Sequence, residues 1–127
     1  MGCLFCKIVA GEIPADVVHQ SDAVVAFRDI APIAPTHVLV IPKRHIEHAG
    51  VTTGGDGEVL QEMLAMAATV AHTEGIADGG YRLVFNVGED SGNSVAHLHL
   101  HVVGGQPMGW PPFPTPSRIE RSRGGAQ

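Results

Sequence analysis

The run His97-Leu98-His99-Leu100-His101-Val102-Val103 alternates imidazole and aliphatic side chains with a period of two. That period belongs to an extended strand, in which successive side chains point to opposite faces. His97, His99 and His101 are therefore expected along one face, about 6.5–7 Å apart. Leu98, Leu100 and Val102 are expected on the other, turned into a core. Neither a core nor a solvated surface selects three imidazoles in a row, so the run asks for a chemical reason. Two are available, metal ligation and nucleophilic or acid–base chemistry.

The remaining sequence must cover such a strand. With 127 residues the chain fits one domain, and 44% apolar residues against 5% aromatic ones make its core mainly aliphatic. A net charge of −5 argues against nucleic-acid or anionic-membrane binding, which needs basic patches. No apolar run has signal-peptide character or reaches membrane-spanning length, so a cytoplasmic location is expected. The two cysteines form a C-x-x-C, Cys3 and Cys6. In a reducing compartment this spacing reads as a metal or redox motif rather than a structural disulfide.

Taken in order, residues 3–11 read as a short helix or turn ended by Gly11. Residues 16–19 and 23–29 read as a hairpin across Gln20-Ser21-Asp22. Two prolines make residues 30–35 a loop, and residues 37–42 a third strand, apolar on both faces and hence central. Residues 58–73 are the one long helix, with Val59, Leu60, Met63, Leu64, Ala67, Val70 and Ala71 on its apolar face. Residues 81–87 and 94–103 complete about five strands. Hairpins plus one long helix predict an α+β fold with a mostly antiparallel sheet. The domain is expected over residues 1–112, with residues 113–127 as a polar tail rich in Pro, Ser, Arg and Gly.

The loop before the histidines carries Gly88, Gly92, Asn93 and Ser94, with Asn86 just ahead. A glycine-rich turn can aim backbone N–H groups at an anion, and Ser94 adds a hydroxyl. The absence of nearby Lys or Arg favours a single phosphate over a polyphosphate.

These residues carry a resemblance. His97 to Val103 resembles the signature of the histidine triad (HIT) superfamily, His-φ-His-φ-His-φ-φ with φ apolar. The segments Cys3-Leu4-Phe5-Cys6, Ala26-Phe27-Arg28-Asp29-Ile30, Pro35-Thr36-His37, Val40-Ile41-Pro42-Lys43-Arg44-His45, Asn86-Val87-Gly88, Ser94-Val95 and Trp110-Pro111-Pro112 extend it over nearly the whole chain, closest to the Hint-like branch. The resemblance implies a HIT fold whose sheet continues across a homodimer, and hydrolysis of the P–N bond of purine nucleoside phosphoramidates. It implies His99 as the nucleophile, forming a nucleotidyl-histidine, with its Nδ1–H held by the His97 carbonyl. His101 and Ser94 would contact phosphate oxygens or the leaving group, and Asp29 the ribose hydroxyls. Phe5, Phe27 and Ile30, with Ile8 beside them, would wall the base pocket, and Asn86 and Asn93 would border the ribose and phosphate. Asn93 stands where that branch usually carries a longer glutamine, and Arg28 where it often carries histidine.

For Cys3 and Cys6 the resemblance implies a structural Zn2+ completed by His45 and His97, a closed Cys2His2 site. The C-x-x-C does not follow a βαβ pattern, as a thioredoxin-like motif would. His37 reads as structural, and Trp110 as a core plug or, preferably, a dimer contact. Two other functions compete. One is hydrolysis of dinucleoside polyphosphates, as in the Fhit branch. The other is a nucleotide- or zinc-binding regulatory role.

Overall fold

A computed structural model describes residues 2–112; the expected tail at 113–127 lies outside the described residues. The elements are helix α1 (Leu4–Val9), strands β1 (Val17–Gln20), β2 (Val24–Arg28) and β3 (Thr36–Pro42), helix α2 (Gly57–Thr73), and strands β4 (Tyr81–Phe85) and β5 (Leu100–Gly104). The strands form one antiparallel sheet in the order β1-β2-β3-β5-β4. β3 is central and buried along its whole length, as its two-faced apolar sequence requires.

Each sheet face has its own apolar cluster. Val24 and Ala26 of β2, Val38 and Val40 of β3, and Leu100 and Val102 of β5 pack under Met63, Met66, Ala67, Val70 and Ala71 of α2. On the opposite face Val25, Phe27, Leu39 and Ile41 pack with Phe5 of α1. Leu64, expected on the apolar face of α2, is 45% exposed; Met66 faces the core instead. Thr53 and Asp56 close the turn ahead of α2, the Thr53 N–H donating to Asp56 Oδ2 at 2.8 Å. After α2, Gly75 takes a φ of +77°, the left-handed turn that glycine adopts without steric cost. Arg28 of β2 reaches Glu74 beyond α2 through two 2.9 Å bonds and fastens that helix end to the sheet.

The histidine strand is shorter than expected. Pairing covers only Leu100–Gly104, not residues 94–103, so of the three histidines only His101 lies within the ladder. Pairing stops at Leu100, which lies opposite Val40 of β3 and Phe85, the last residue of β4. β3 ends at Pro42, which has no N–H to offer a ladder. The alternation nevertheless continues beyond the ladder. The Leu98 N–H donates to the Ile46 carbonyl, and Leu98 enters the α2-side core while His97 and His99 turn to the α1 side. Strand β4 likewise stops at Phe85 rather than residue 87.

Candidate active site and thiol–imidazole cluster

A cleft of about 420 Å³ opens on the α1 side of the sheet, within the size range of small-molecule sites. Its apolar end is formed by Leu4, Phe5, Ile8, Ile13, Phe27, Ile30 and Leu39. Asp29, Asn86, Asn93, Ser94, His99 and His101 line its polar end. Every residue expected to contact nucleotide therefore borders one cavity. Phe5 and Phe27 meet edge to face at 5.5 Å, and both are buried. Ile30, by contrast, is fully exposed on the loop after β2. Gly88 and Gly92, both at φ +82°, turn the chain between β4 and the histidines.

His99 sits at the junction. Its Nδ1–H donates to the His97 carbonyl at 2.7 Å. With the proton held there, the neutral ring carries its lone pair on Nε2. Phe5 packs edge-on against this ring at 5.2 Å and fixes its plane. His101 lies 5.0 Å from it, ring centre to ring centre. Burial, then the proximity of His99 and His37, pushes the His101 pKa down to about 4, so this imidazole is neutral near pH 7.

His97 is wholly buried behind the cleft. Its Nε2–H donates to the Pro42 carbonyl at 2.9 Å, which leaves the Nδ1 lone pair free to accept or ligate. That lone pair faces Cys3 Sγ at 3.3 Å and Cys6 Sγ at 3.5 Å, and His45 Nδ1 lies 3.3 Å from Cys6 Sγ. The four ligand atoms of Cys3, Cys6, His45 and His97 all lie within 4.8 Å of one another. Zn–S bonds of about 2.3 Å and Zn–N bonds of about 2.05 Å at tetrahedral angles give an S···N edge of about 3.5 Å. The donor set and its spacing thus fit zinc. Cys3 also caps α1, its Sγ accepting from the Cys6 N–H at 3.3 Å.

Sequence reasoning set His37 aside as structural, yet it joins this site. It is buried on β3 beside β5, with its Nε2 2.9 Å from His101 Nδ1 and 3.4 Å from Asp29 Oδ2. Asp29 uses its other oxygen to accept from the Ala31 N–H at 2.8 Å. The only available signal was strand register: His101 pairs with Leu39, which puts His37 diagonally across from it on the same face. Trp110 is 83% exposed with the Arg82 guanidinium 6.0 Å from its ring, so it plugs no core among the described residues. No helix among the described residues is long and apolar enough to cross a membrane.

The HIT domain family model matches residues 10–108. The purine nucleoside phosphoramidase of Escherichia coli K12 is 45% identical over 106 residues, which are 84% of this chain and 89% of that protein. An uncharacterized HIT-like protein of Synechococcus elongatus is 44% identical over 109 residues, 86% of this chain and 95% of that one. The crystal structure of a HIT family hydrolase from Legionella pneumophila Philadelphia 1 matches with a TM-score of 0.86 at 51% identity, covering 88% of this chain and 100% of the other.

Proposed function

The chain belongs to the HIT domain family and is a hydrolase, and from that premise we propose that it cleaves the P–N bond of purine nucleoside phosphoramidates. The observation that carries this reading is the His99 ring, clamped through Nδ1–H to the His97 carbonyl and bordering the cleft. An imidazole so held offers Nε2 as a nucleophile in one orientation. Nε2 attacks the α-phosphorus, an Nε2–P bond forms and the P–N bond breaks. The amine leaves with a proton given by a general acid of the cleft, and a nucleotidyl-histidine remains. Water then attacks phosphorus and returns a proton to that same group, the Nε2–P bond breaks, and the nucleoside monophosphate departs with His99 restored. Two modest barriers replace one high one.

The other assignments follow the cleft. Phe5, Phe27 and Ile30 sandwich or flank the base, Asp29 accepts from the ribose hydroxyls, and Asn86, Asn93 and Ser94 surround the phosphate and leaving group. The near absence of cations along the cleft suits one phosphate. Cys3, Cys6, His45 and His97 would hold a zinc ion whose chemistry is structural, because four protein ligands leave no open position. The ion would brace His97, whose carbonyl orients the nucleophile. A homodimer is supported by the exposed apolar side chains Leu83 and Phe85 on β4, the edge strand of the sheet among the described residues, which a second copy would cover.

The test is release of AMP from an adenosine 5'-phosphoramidate of lysine, with native protein beside His99→Ala. Native turnover with a loss of about 10³-fold or more in the variant is expected, the order of effect of removing the reacting group itself. Native protein that cleaves diadenosine polyphosphates and not the phosphoramidate would overturn the substrate assignment.

A further inference from the structure

The contacts around His37 contain a directional signal. The Ile33 backbone N–H lies 3.2 Å from His37 Nδ1. A backbone amide can only donate, so His37 Nδ1 must be the acceptor and carry no proton. The proton of the neutral His37 ring therefore sits on Nε2, which faces His101 Nδ1 at 2.9 Å and Asp29 Oδ2 at 3.4 Å. Burial lowers the pKa of His37 while Asp29 opposes that shift, and the net is downward, so the ring is neutral near pH 7. His37 Nε2–H donates to His101 Nδ1. His101, neutral as well, must then carry its own proton on Nε2.

His101 Nε2 is the nitrogen on the cleft side, 3.5 Å from the Asn86 amide, whose oxygen and nitrogen exchange places by a half-turn. Both residues line the cleft beside His99.

We propose that His37 is a positioning residue that locks His101 in its Nε2–H tautomer, so that His101 meets the phosphoryl group of a bound substrate as a neutral hydrogen-bond donor. This rests on the phosphate-ester reading of the cleft. The reverse tautomer would turn a lone pair toward phosphate oxygens and repel them. The same geometry decides against a cation held by Asp29, His37 and His101, although their ligand atoms also cluster within 4.8 Å. A metal on His37 Nε2 would require a proton on Nδ1, donor against donor with the Ile33 N–H.

The experiment is two-bond ¹H–¹⁵N correlation spectroscopy of histidine-labelled native protein near pH 7, which reports which nitrogen of each ring is protonated, repeated on His37→Leu and His37→Gln. Expected in the native protein is His101 protonated at Nε2 and bare at Nδ1. His37→Leu, which removes the donor, should give a mixture of His101 tautomers and lower kcat by about tenfold with a smaller change in KM, the effect of one hydrogen bond. His37→Gln, whose amide N–H₂ can reach the same nitrogen, should restore both. Native His101 protonated at Nδ1, or a His101 tautomer unmoved in His37→Leu, overturns the proposal. If His37→Leu does not fold, the native spectrum alone decides. The spectrum needs no substrate, so a protein inactive on phosphoramidates would refute the proposed reaction and leave this tautomer reading to stand or fall separately.

Discussion

Two imidazole clusters meet at His99, and they use the same side chain in opposite ways. Behind the cleft, His97 donates Nε2–H to the Pro42 carbonyl and presents a lone pair to two thiols. Beside the cleft, His37 accepts from the Ile33 N–H and presents a proton to its neighbour. The rings are chemically identical. The backbone group at the far nitrogen decides which face each one shows, a carbonyl turning it into a ligand and an amide into a donor. The identity of a histidine in sequence therefore says little about its role until its backbone partner is known.

The comparison is most exposed to attack on the thiol side. Native protein is expected to hold about one zinc per chain. The double variant Cys3→Ala/Cys6→Ala should bind none and melt about 10 °C lower, since a structural metal contributes folding energy directly. Equal melting temperatures with and without a chelator would show that His97 needs no metal, and the first half of the contrast would fall.

A smaller effect should separate the clusters by pH. The folded pKa of His101 lies near 4 and the unfolded value near 6.5, so between these values the unfolded chain binds more protons. Its contribution to stability is complete above pH 6.5 and is lost as pH falls toward 4. His37 is shifted in the same direction and adds to the slope. Melting temperature should therefore fall by several degrees from pH 7 to 5, with a shallower slope in His101→Gln. Equal slopes in the two proteins would place the pH dependence elsewhere.

The smallest effect should come from Ile33→Pro. It removes the amide donor while the side chain, 72% exposed, is lost from solvent rather than from the core. A kcat reduced severalfold, with the fold unchanged by circular dichroism, is expected. Unchanged kcat together with an unchanged His101 tautomer would mean that the amide does not set the direction of the pair.

Much of this arrangement was legible in the sequence, for identifiable reasons. The period-two pattern placed Leu98, Leu100 and Val102 in the core, because alternation survives where strand pairing stops. The apolar stripe located α2 to within one residue of its start. The C-x-x-C, His45 and His97 were named as a set from family resemblance, and their ligand atoms do converge. The ladder limits of β5 were hidden because they depend on where β4 ends and where pairing with β3 stops. His37 was hidden for a related reason. It lies 64 positions from His101, and only the β3–β5 register makes them neighbours.

Helix α1 spans six residues, too few to persist in water by itself, and it carries Phe5 into the wall of the cleft. Phe5 seats it on Val25, Phe27, Leu39 and Ile41 of β2 and β3, and Cys3 ties its start to His97, 94 positions away. During synthesis α1 therefore gains this contact only after the histidine segment, made much later, has docked. A nascent chain that has released the hairpin, β3 and α2 holds the apolar seat for Phe5 but still lacks the thiol–imidazole contact at the start of α1. The cleft is thus completed late, when the segment carrying His97, His99 and His101 docks beside a wall already seated on β2 and β3.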